Sequence, residues 1–308
     1  MKEDDCLRAL WLFSGQGNQF AGMLANVTPE LKEHVEQLLD LKLLDTIEGY
    51  QDSVQLQVSI ALLQVYQINQ LMAAGIKPDL VAGHSLGAFA AAYAAGAIKQ
   101  DDLFHVVKHR AGLMQDAYPS GYGMGVVVGL TREQLALIVK KVNTRKGPVF
   151  LSNQNAANQT CLSGKLTGID QVLRLAKQNG AVLAQRLQVP VPSHSPLMKK
   201  VAGQLQQEIS QITISKPHCR YLANYSGRSV RQEKFIAADL SSNLIHPVYF
   251  EEMINVASDY QPEVIINFAP GAPFKTILRE KFGDLYQINL NQTSIADAVY
   301  LLNKWNKR

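Results

Sequence analysis

The chain has 308 residues, 47% hydrophobic and 18% charged, with a formal net charge of +4; it can bury the core of one large domain or of a domain with an insertion. These proportions exclude a disordered chain and, without a basic stripe interleaved with aromatics, a nucleic-acid platform. Three cysteines (Cys6, Cys161 and Cys219) lack metal-ligand spacing and cannot all pair, which argues against a disulfide scaffold and for a reducing cytoplasm.

Residues 1–6 are charged and hold no signal-peptide core, and the apolar run 86–98 is too short to span a bilayer, so no membrane role is expected. Ala9–Phe13 reads as a buried strand ending in the loop Ser14-Gly-Gln-Gly-Asn-Gln19, which exposes backbone amides. A dinucleotide fingerprint would need G-x-G-x-x-G, and the third glycine, Gly22, comes too late. A helix is predicted from the Asp52-Ser53 cap through Leu56, Ile60 and Leu63 to about residue 72, stopping at Gly75.

Residues 78–82 form a short strand leading into Gly83-His84-Ser85-Leu86-Gly87, and an Ala-rich helix follows to about residue 97. Strand, G-x-S-x-G turn and helix make a nucleophile elbow. The glycines let the backbone turn sharply, so Ser85 stands at a helix N-terminus where the Leu86 amide can stabilise negative charge. An ordinary strand–helix turn can carry the same five letters; the flanking strand and helix favour the elbow. Strand, helix, strand, helix order implies a parallel sheet with helices on both faces.

Asp101 or Asp102 is expected to cap the next helix, to about residue 117, with an apolar stripe of Leu103, Val106, Val107, Leu113 and Met114. Arg110 falls within that stripe, and a core-facing cation needs an acidic partner. Either a protein carboxylate or the carboxylate of a substrate, held bidentately by the guanidinium, would serve.

From Gly121 the pattern changes. Strands at 124–129, 149–152, 160–163 and 182–189, with helices at 131–142 and 168–178, give β-α-β-β-α-β, the ferredoxin-like unit. The expected organisation is an α/β core over 1–121 and 191–308 with a small subdomain inserted at 122–190. Beyond Pro190, the turn Val191-Pro-Ser-His194 should lie where the two units meet. A helix to about 212, a strand at 221–224, helices at 233–240 and 247–258, a strand at 263–268, a short helix, a strand at 285–290 and a C-terminal helix complete the chain.

A serine nucleophile needs a base, and among the seven histidines His194 is the best placed. His84 is expected to pack under the elbow. No acidic residue has a clear triad position, and a backbone carbonyl could orient the imidazole instead. Such a dyad suits acyl transfer from an activated thioester better than amide hydrolysis. The Leu86 amide and the Gly15-Gln16-Gly17 loop could form the oxyanion hole.

Gly15-Gln-Gly-Asn-Gln19, Gly83-His-Ser-Leu-Gly87, Arg110 with Leu113-Met-Gln115, and Val191-Pro-Ser-His194 together resemble the malonyl-CoA:acyl carrier protein transacylase family. Pro270-Gly271 and Asn243-Leu-Ile-His-Pro-Val248 also look like its blocks, and the likeness runs in order along nearly the whole chain. It implies an α/β-hydrolase-like parallel-sheet core with the ferredoxin-like insert, and a malonyltransferase using malonyl-CoA as substrate and an acyl carrier protein as acceptor. It also implies Ser85 as the acylated nucleophile, His194 as its base, Gln16 and Leu86 as oxyanion amides, and Arg110 as the malonyl carboxylate ligand. Asn243 would orient the histidine through its backbone carbonyl, and Asn153 and Asn155 would be polar residues of the substrate cleft. No metal and no resident cofactor are expected.

The short segment between Met23 and Ser53, the stretch from Ala117 to Met124, Tyr221-Leu-Ala-Asn224 and Asn243-Leu-Ile-His-Pro247 look more like the epsilon subunit of malonate decarboxylase. That reading makes the decarboxylase's own carrier the acceptor and its other subunits partners; the alternative is the fatty-acid-synthesis transacylase. A serine esterase would leave Arg110 unexplained. A non-catalytic carrier-docking subunit would have no need of Ser85, His194 and Arg110 together.

Overall fold

The computed structural model describes residues 7–118 and 120–306; Cys6 and the charged residues before it lie outside the described residues. Strand β1 (Ala9–Phe13) is buried on both faces: Trp11 and Phe13 enter one apolar layer, Leu10 and Leu12 the other. That is the situation of an interior strand in a helix-covered parallel sheet. Helix α1 (Pro29–Leu39) has no counterpart in the sequence expectation, because it buries only Val35 and Leu39, too few apolar positions to show a period. Helix α2 (Ser53–Ala73) starts as expected, with the Asp52 carboxylate accepting from the Gln55 N–H at 2.8 Å.

Strand β2 (Leu80–Gly83) and helix α3 (Gly87–Ala94) flank Ser85. Helix α3 stops short of the expected residue 97, since Gly96 at φ 72° turns the chain into helix α4 (Gln100–Ala117). Lys99, not Asp101 or Asp102, occupies the N-cap of α4; the two carboxylates sit in its first turn, where they complement the helix dipole without capping.

The chain then builds a second sheet from β3 (Tyr122–Val128), α5 (Arg132–Val142), β4 (Val149–Ala156), β5 (Gln159–Lys165), α6 (Leu166–Gln178) and β6 (Leu183–Leu187). The strands pair antiparallel in the order β4-β5-β3-β6, the ferredoxin-like arrangement. Thr131 and Gln134 close a capping box on α5, and Val127, Leu135, Leu162, Ile169 and Val172 form the core under α5 and α6. Strand β4 runs on past this sheet: the Gln154 N–H donates to the Val248 carbonyl at 2.8 Å, tying the two units together.

The remainder returns to the first sheet: α7 (Lys199–Ile209), β7 (Arg220–Leu222), β8 (Ser229–Val230), α8 (Glu233–Ser242), α9 (Phe250–Asp259), β9 (Val264–Phe268), α10 (Lys275–Phe282), β10 (Tyr286–Asn289) and α11 (Ile295–Trp305). The order is β10-β9-β1-β2-β7-β8, parallel except for the two-residue edge strand β8, which is too short to be read from sequence. The protein is thus an α/β-hydrolase-like parallel-sheet core with a ferredoxin-like second sheet. Among the described residues no helix is long and apolar enough to cross a membrane.

Successive connections diverge from β1, to β2 on one side and β9 on the other, so the loops at the C-terminal ends of these strands bound the crevice where open α/β sheets bind ligands. The elbow is held there by close backbone approach. A Cβ on Gly87 would lie 2.3 Å from the Phe13 carbonyl oxygen, and one on Gly83 would lie 2.1 Å from the Gly87 carbonyl oxygen. Both obstacles are backbone atoms and cannot swing aside. Gly87→Ala should therefore destabilise the fold by about 3 kcal/mol, at the upper end of overpacking costs. Urea unfolding measures this, and an unchanged midpoint would show that β1 and α3 can part at little cost.

Candidate active site

Ser85 adopts φ 55°, the left-handed conformation that lets a sharp strand-to-helix turn project its side chain. Its Oγ lies 2.8 Å from His194 Nε2, and His194 Nδ1 lies 2.7 Å from the Asn243 carbonyl oxygen. That carbonyl can only accept, so Nδ1 carries the proton and Nε2 presents its lone pair to the serine hydroxyl. The Ser85 O–H donates to His194, the tautomer a general base requires. His194 also sits at positive φ, 61°, in the turn that leaves the second sheet.

His194 is 2% exposed, and burial first, then the proximity of His84 and Arg110, lowers its pKa to about 3 against a weaker opposing pull from the Asn243 carbonyl. His84 is likewise lowered, to about 4, chiefly by burial. It packs under the elbow, as expected, against Phe250 and Phe274 with centroids 5.6 and 5.2 Å away, and its Nε2–H donates to Asn155 Oδ1 at 3.1 Å.

Arg110 is 1% exposed and approaches the serine directly, its Nη2 donating to Ser85 Oγ at 3.2 Å. Its Nη1 donates to Gln57 Oε1, Phe89 lies under the guanidinium at 5.9 Å, and Nε has no partner. Among the described residues no carboxylate pairs with it. The expectation of a protein carboxylate is thereby excluded for the described chain. Burial lowers the guanidinium pKa to about 9, leaving it a cation at neutral pH.

The Gly15-Gln16-Gly17 loop abuts the elbow: a Cβ on Gly15 would sit 2.9 Å from the His84 carbonyl oxygen and 3.8 Å from the Leu86 nitrogen. The amides of Gln16 and Leu86 have no acceptor among the described residues, so both are free to receive an oxyanion. A cleft of about 940 Å³, lined by residues that include Gln16, Tyr50, Met114, Tyr118, Gln185 and Val191, opens beside Gln16; Ser85, Leu86, Arg110 and His194 do not line it. Asn153 and Asn155 are both buried on β4; Asn155 is committed to His84 and Cys161, whereas the Asn153 side-chain oxygen has no partner. Among the described residues no three His, Cys, Asp or Glu side chains converge as a metal site would require.

Several residues that support this constellation escape a reading of the sequence. Gln57 holds Arg110, and Gln64 Nε2 donates to the carbonyls of Ser14 (2.9 Å) and Ala269 (3.2 Å), tying the loops after β1 and β9. Asn224 Oδ1 accepts from the Ser85 N–H at 2.8 Å. The signal for the glutamines was present: α2 is apolar almost all round, and Gln57 and Gln64, two turns apart, are both fully buried.

Residues 10–296 match the family model described as acyl transferase domain. The chain is 32% identical over 282 residues to the malonyl CoA-acyl carrier protein transacylase of Bacillus subtilis, a span of 88% of this chain and 89% of that protein. It superposes on the Coxiella burnetii malonyl CoA-acyl carrier protein transacylase with a TM-score of 0.89, 28% identity and 98% coverage of both chains. It is also similar to a malonyl-transacylase solved in complex with its type II PKS acyl-carrier protein, with a TM-score of 0.88, 26% identity and coverage of 96% of this chain and 99% of that one.

The two buried histidines carry a consequence for stability. Their folded pKa values lie below the ordinary 6.5, so the unfolded chain binds protons that the folded chain refuses. Their contribution is complete above pH 6.5 and is lost as pH falls toward 4 and 3, amounting to about 2 kcal/mol for each histidine between pH 7 and 4.5. Urea unfolding at the two pH values should show this loss. A His84→Gln variant, unable to take up that proton, should lose about 2 kcal/mol less over the same interval; an equal loss would mean His84 is charged in the folded protein.

Proposed function

The chain belongs to the acyl transferase domain family, and from that premise we propose that it moves a malonyl group from malonyl-CoA, through a Ser85 acyl-enzyme, to the phosphopantetheine-type thiol of an acyl carrier protein. The observation that carries the proposal is the buried Arg110 cation, 3.2 Å from Ser85 Oγ and without a carboxylate of its own. A neutral acyl chain would leave this charge unmatched. The free carboxylate of a malonyl group supplies the missing partner and can take a bidentate bond.

In the acylation half-reaction His194 Nε2 takes the proton from Ser85 as Oγ attacks the thioester carbonyl. The oxyanion forms against the Leu86 and Gln16 amides. On collapse the carbon–sulfur bond breaks, and the coenzyme A sulfur leaves with the proton from His194. The carrier's thiol then gives its proton to His194, its sulfur attacks the acyl ester, and Ser85 recovers its proton as the carbon–oxygen bond breaks. A base whose pKa lies near 3 is always unprotonated at neutral pH, so the resting enzyme is ready for the first step. No resident cofactor takes part; coenzyme A enters and leaves as part of the substrate. The free, buried Cys161 and Cys219 support the cytoplasm as the setting.

The similarity to malonyl CoA-acyl carrier protein transacylases, and to one complexed with its carrier, supports an ordinary acyl carrier protein as the acceptor. Tyr221-Leu-Ala-Asn224 and Asn243-Leu-Ile-His-Pro247 support a second reading, the malonate decarboxylase epsilon subunit with that enzyme's carrier subunit as acceptor. Presenting the malonyl-enzyme with each carrier in turn separates them: transfer to only one identifies the recipient.

Intact mass after brief exposure to malonyl-CoA or acetyl-CoA tests the chemistry. Wild type should gain one malonyl group, Ser85→Ala none, and acetyl should be taken up poorly. Arg110→Ala should lose about 2–5 kcal/mol of preference for malonyl, by analogy with truncated buried charge pairs, with little change toward acetyl. Equal uptake of both acyl groups by wild type would remove Arg110 as the carboxylate ligand. No adduct at all would leave the carrier-docking subunit, and rapid hydrolysis of malonyl-CoA without a carrier would favour an esterase.

A further inference from the structure

Strand β7 pairs with β2 only as far as Leu222 opposite Ala82, because the left-handed turn at Ser85 carries the next residues out of the sheet. The side chain of Asn224 takes over where the backbone ladder stops. Its Nδ2 donates to the Gly83 carbonyl at 2.8 Å, and its Oδ1 accepts from the Ser85 N–H at 2.8 Å, so one amide clamps the elbow on both sides of His84.

This clamp works only with the oxygen facing Ser85 and the nitrogen facing Gly83. Asp239 on α8 enforces that orientation. Its fully buried carboxylate accepts from Asn224 Nδ2 at 3.3 Å, from the Tyr221 hydroxyl at 2.6 Å and from the Tyr225 N–H at 3.0 Å. All three neighbours present donors, and among the described residues no cation pairs with Asp239. Such a socket accepts a group with two acceptor oxygens and rejects one with a donor of its own.

One turn further on, Asn243 closes α8, its N–H donating to the Asp239 carbonyl at 3.0 Å. The Asn243 carbonyl orients His194, and its Nδ2 donates to the Ser85 carbonyl at 3.4 Å. The peptide groups on both sides of Ser85, and the ring of His194, are therefore registered to the same turn of α8.

We propose that Asp239 is a positioning residue for the transacylation, acting through Asn224 to hold the Ser85 backbone in register with His194. The proposal rests on the reading of Ser85 as the acylated nucleophile. Asp239 touches no reacting atom and makes no bond to His194; its effect passes through one amide. Asp239→Asn keeps the shape but replaces one acceptor with an NH₂. That group must oppose either the Tyr225 N–H or the Asn224 NH₂. The second arrangement drives Asn224 to rotate and present its own N–H to the Ser85 N–H. Substrate contacts at Arg110 and in the cleft are untouched.

Rapid-quench intact-mass measurement of malonyl-enzyme formation against malonyl-CoA concentration tests this in a double-mutant cycle of wild type, Asp239→Asn, Asn224→Ala and the double variant. Asp239→Asn should lower the limiting acylation rate roughly 10- to 100-fold, the scale of a small misplacement of reacting groups. The half-saturating concentration should move by less than about threefold, because ground-state binding is spared. In the Asn224→Ala background the same substitution should cost less than about threefold, since its route to Ser85 is gone. Simple multiplication of the two single effects, or a single-variant rate within about twofold of wild type, overturns the proposal. If Asp239→Asn does not fold, Tyr221→Phe, which shifts the same carboxylate by removing one donor, enters the cycle under the same criteria at smaller scale. Absence of a malonyl adduct on wild type would overturn the reading of Ser85 and this proposal together; an adduct with an uncoupled cycle overturns this proposal alone.

Discussion

At Gly87 the elbow helix meets β1 at a separation no side chain tolerates, with the Phe13 carbonyl oxygen 2.3 Å from where a Cβ would stand. Much of the site follows from that approach. It brings the N-terminus of α3 beside the end of β1, so the Leu86 amide and the loop carrying Gln16 face a common space. It also forces the chain to reverse within Gly83–Gly87, which places Ser85 at φ 55° with its side chain standing clear. Backbone strain of this kind, of order 1–3 kcal/mol, persists only where the surroundings over-determine it. Here they do: Asn224 and Asn243 hold the two peptide groups of Ser85, and Gln64 fixes the neighbouring loop ends.

The site is assembled across two sheets, and each contributes what its architecture makes easy. The parallel sheet supplies backbone amides and a helix dipole at strand ends, the usual location of ligand sites in such folds. The second sheet returns the chain at Val191, so His194 arrives in a turn whose ring can reach over the elbow. Strand β4 crosses back at Gln154 to meet Val248, which ties the two units close to His84, itself bonded to Asn155. The cleft beside Gln16 lies between the larger unit and the segment 185–191, which spans the end of the edge strand β6 and the chain that leaves it.

The parts legible in the sequence are those imposed by short-range rules. Glycine spacing around Ser85 and a cation on the apolar stripe of α4 act within a few residues, and the alternation of strands with helices and the β-α-β-β-α-β order are sums of such local patterns along the chain. What was not legible acts across the fold. Asn224 lies 139 residues from the serine whose amide it accepts, and Asp239 reads as an ordinary surface acid on a short helix. Helix α1 packs through two residues and shows no period. Asp101 and Asp102 look like caps because Asp favours both the N-cap and the first turn; only the extended backbone at Lys99 separates the two roles. Arg110 illustrates the boundary well: its spacing showed that a carboxylate was needed, but only the structure shows that the described chain does not provide one.

That missing carboxylate and the backbone-oriented histidine are two sides of one arrangement. Many serine nucleophiles use an aspartate behind the histidine to fix its tautomer and stabilise the imidazolium. In this site the Asn243 carbonyl fixes the tautomer with no net charge. An aspartate in its place would add a buried negative charge to the site that holds the Arg110 cation, and opposite charges attract more strongly where the effective dielectric constant is low. It would thereby offset part of the unmatched positive charge of Arg110, which the proposed function pairs with the substrate carboxylate. The histidine gives up some basicity, its pKa falling to about 3 chiefly through burial, with smaller contributions from His84 and Arg110. A thioester tolerates that loss because its thiolate leaves readily and the transition state asks less of the base than amide cleavage does. Under the proposed malonyl transfer, selectivity for a charged acyl group and a dyad without an acid are thus compatible, because a thioester asks less of its base.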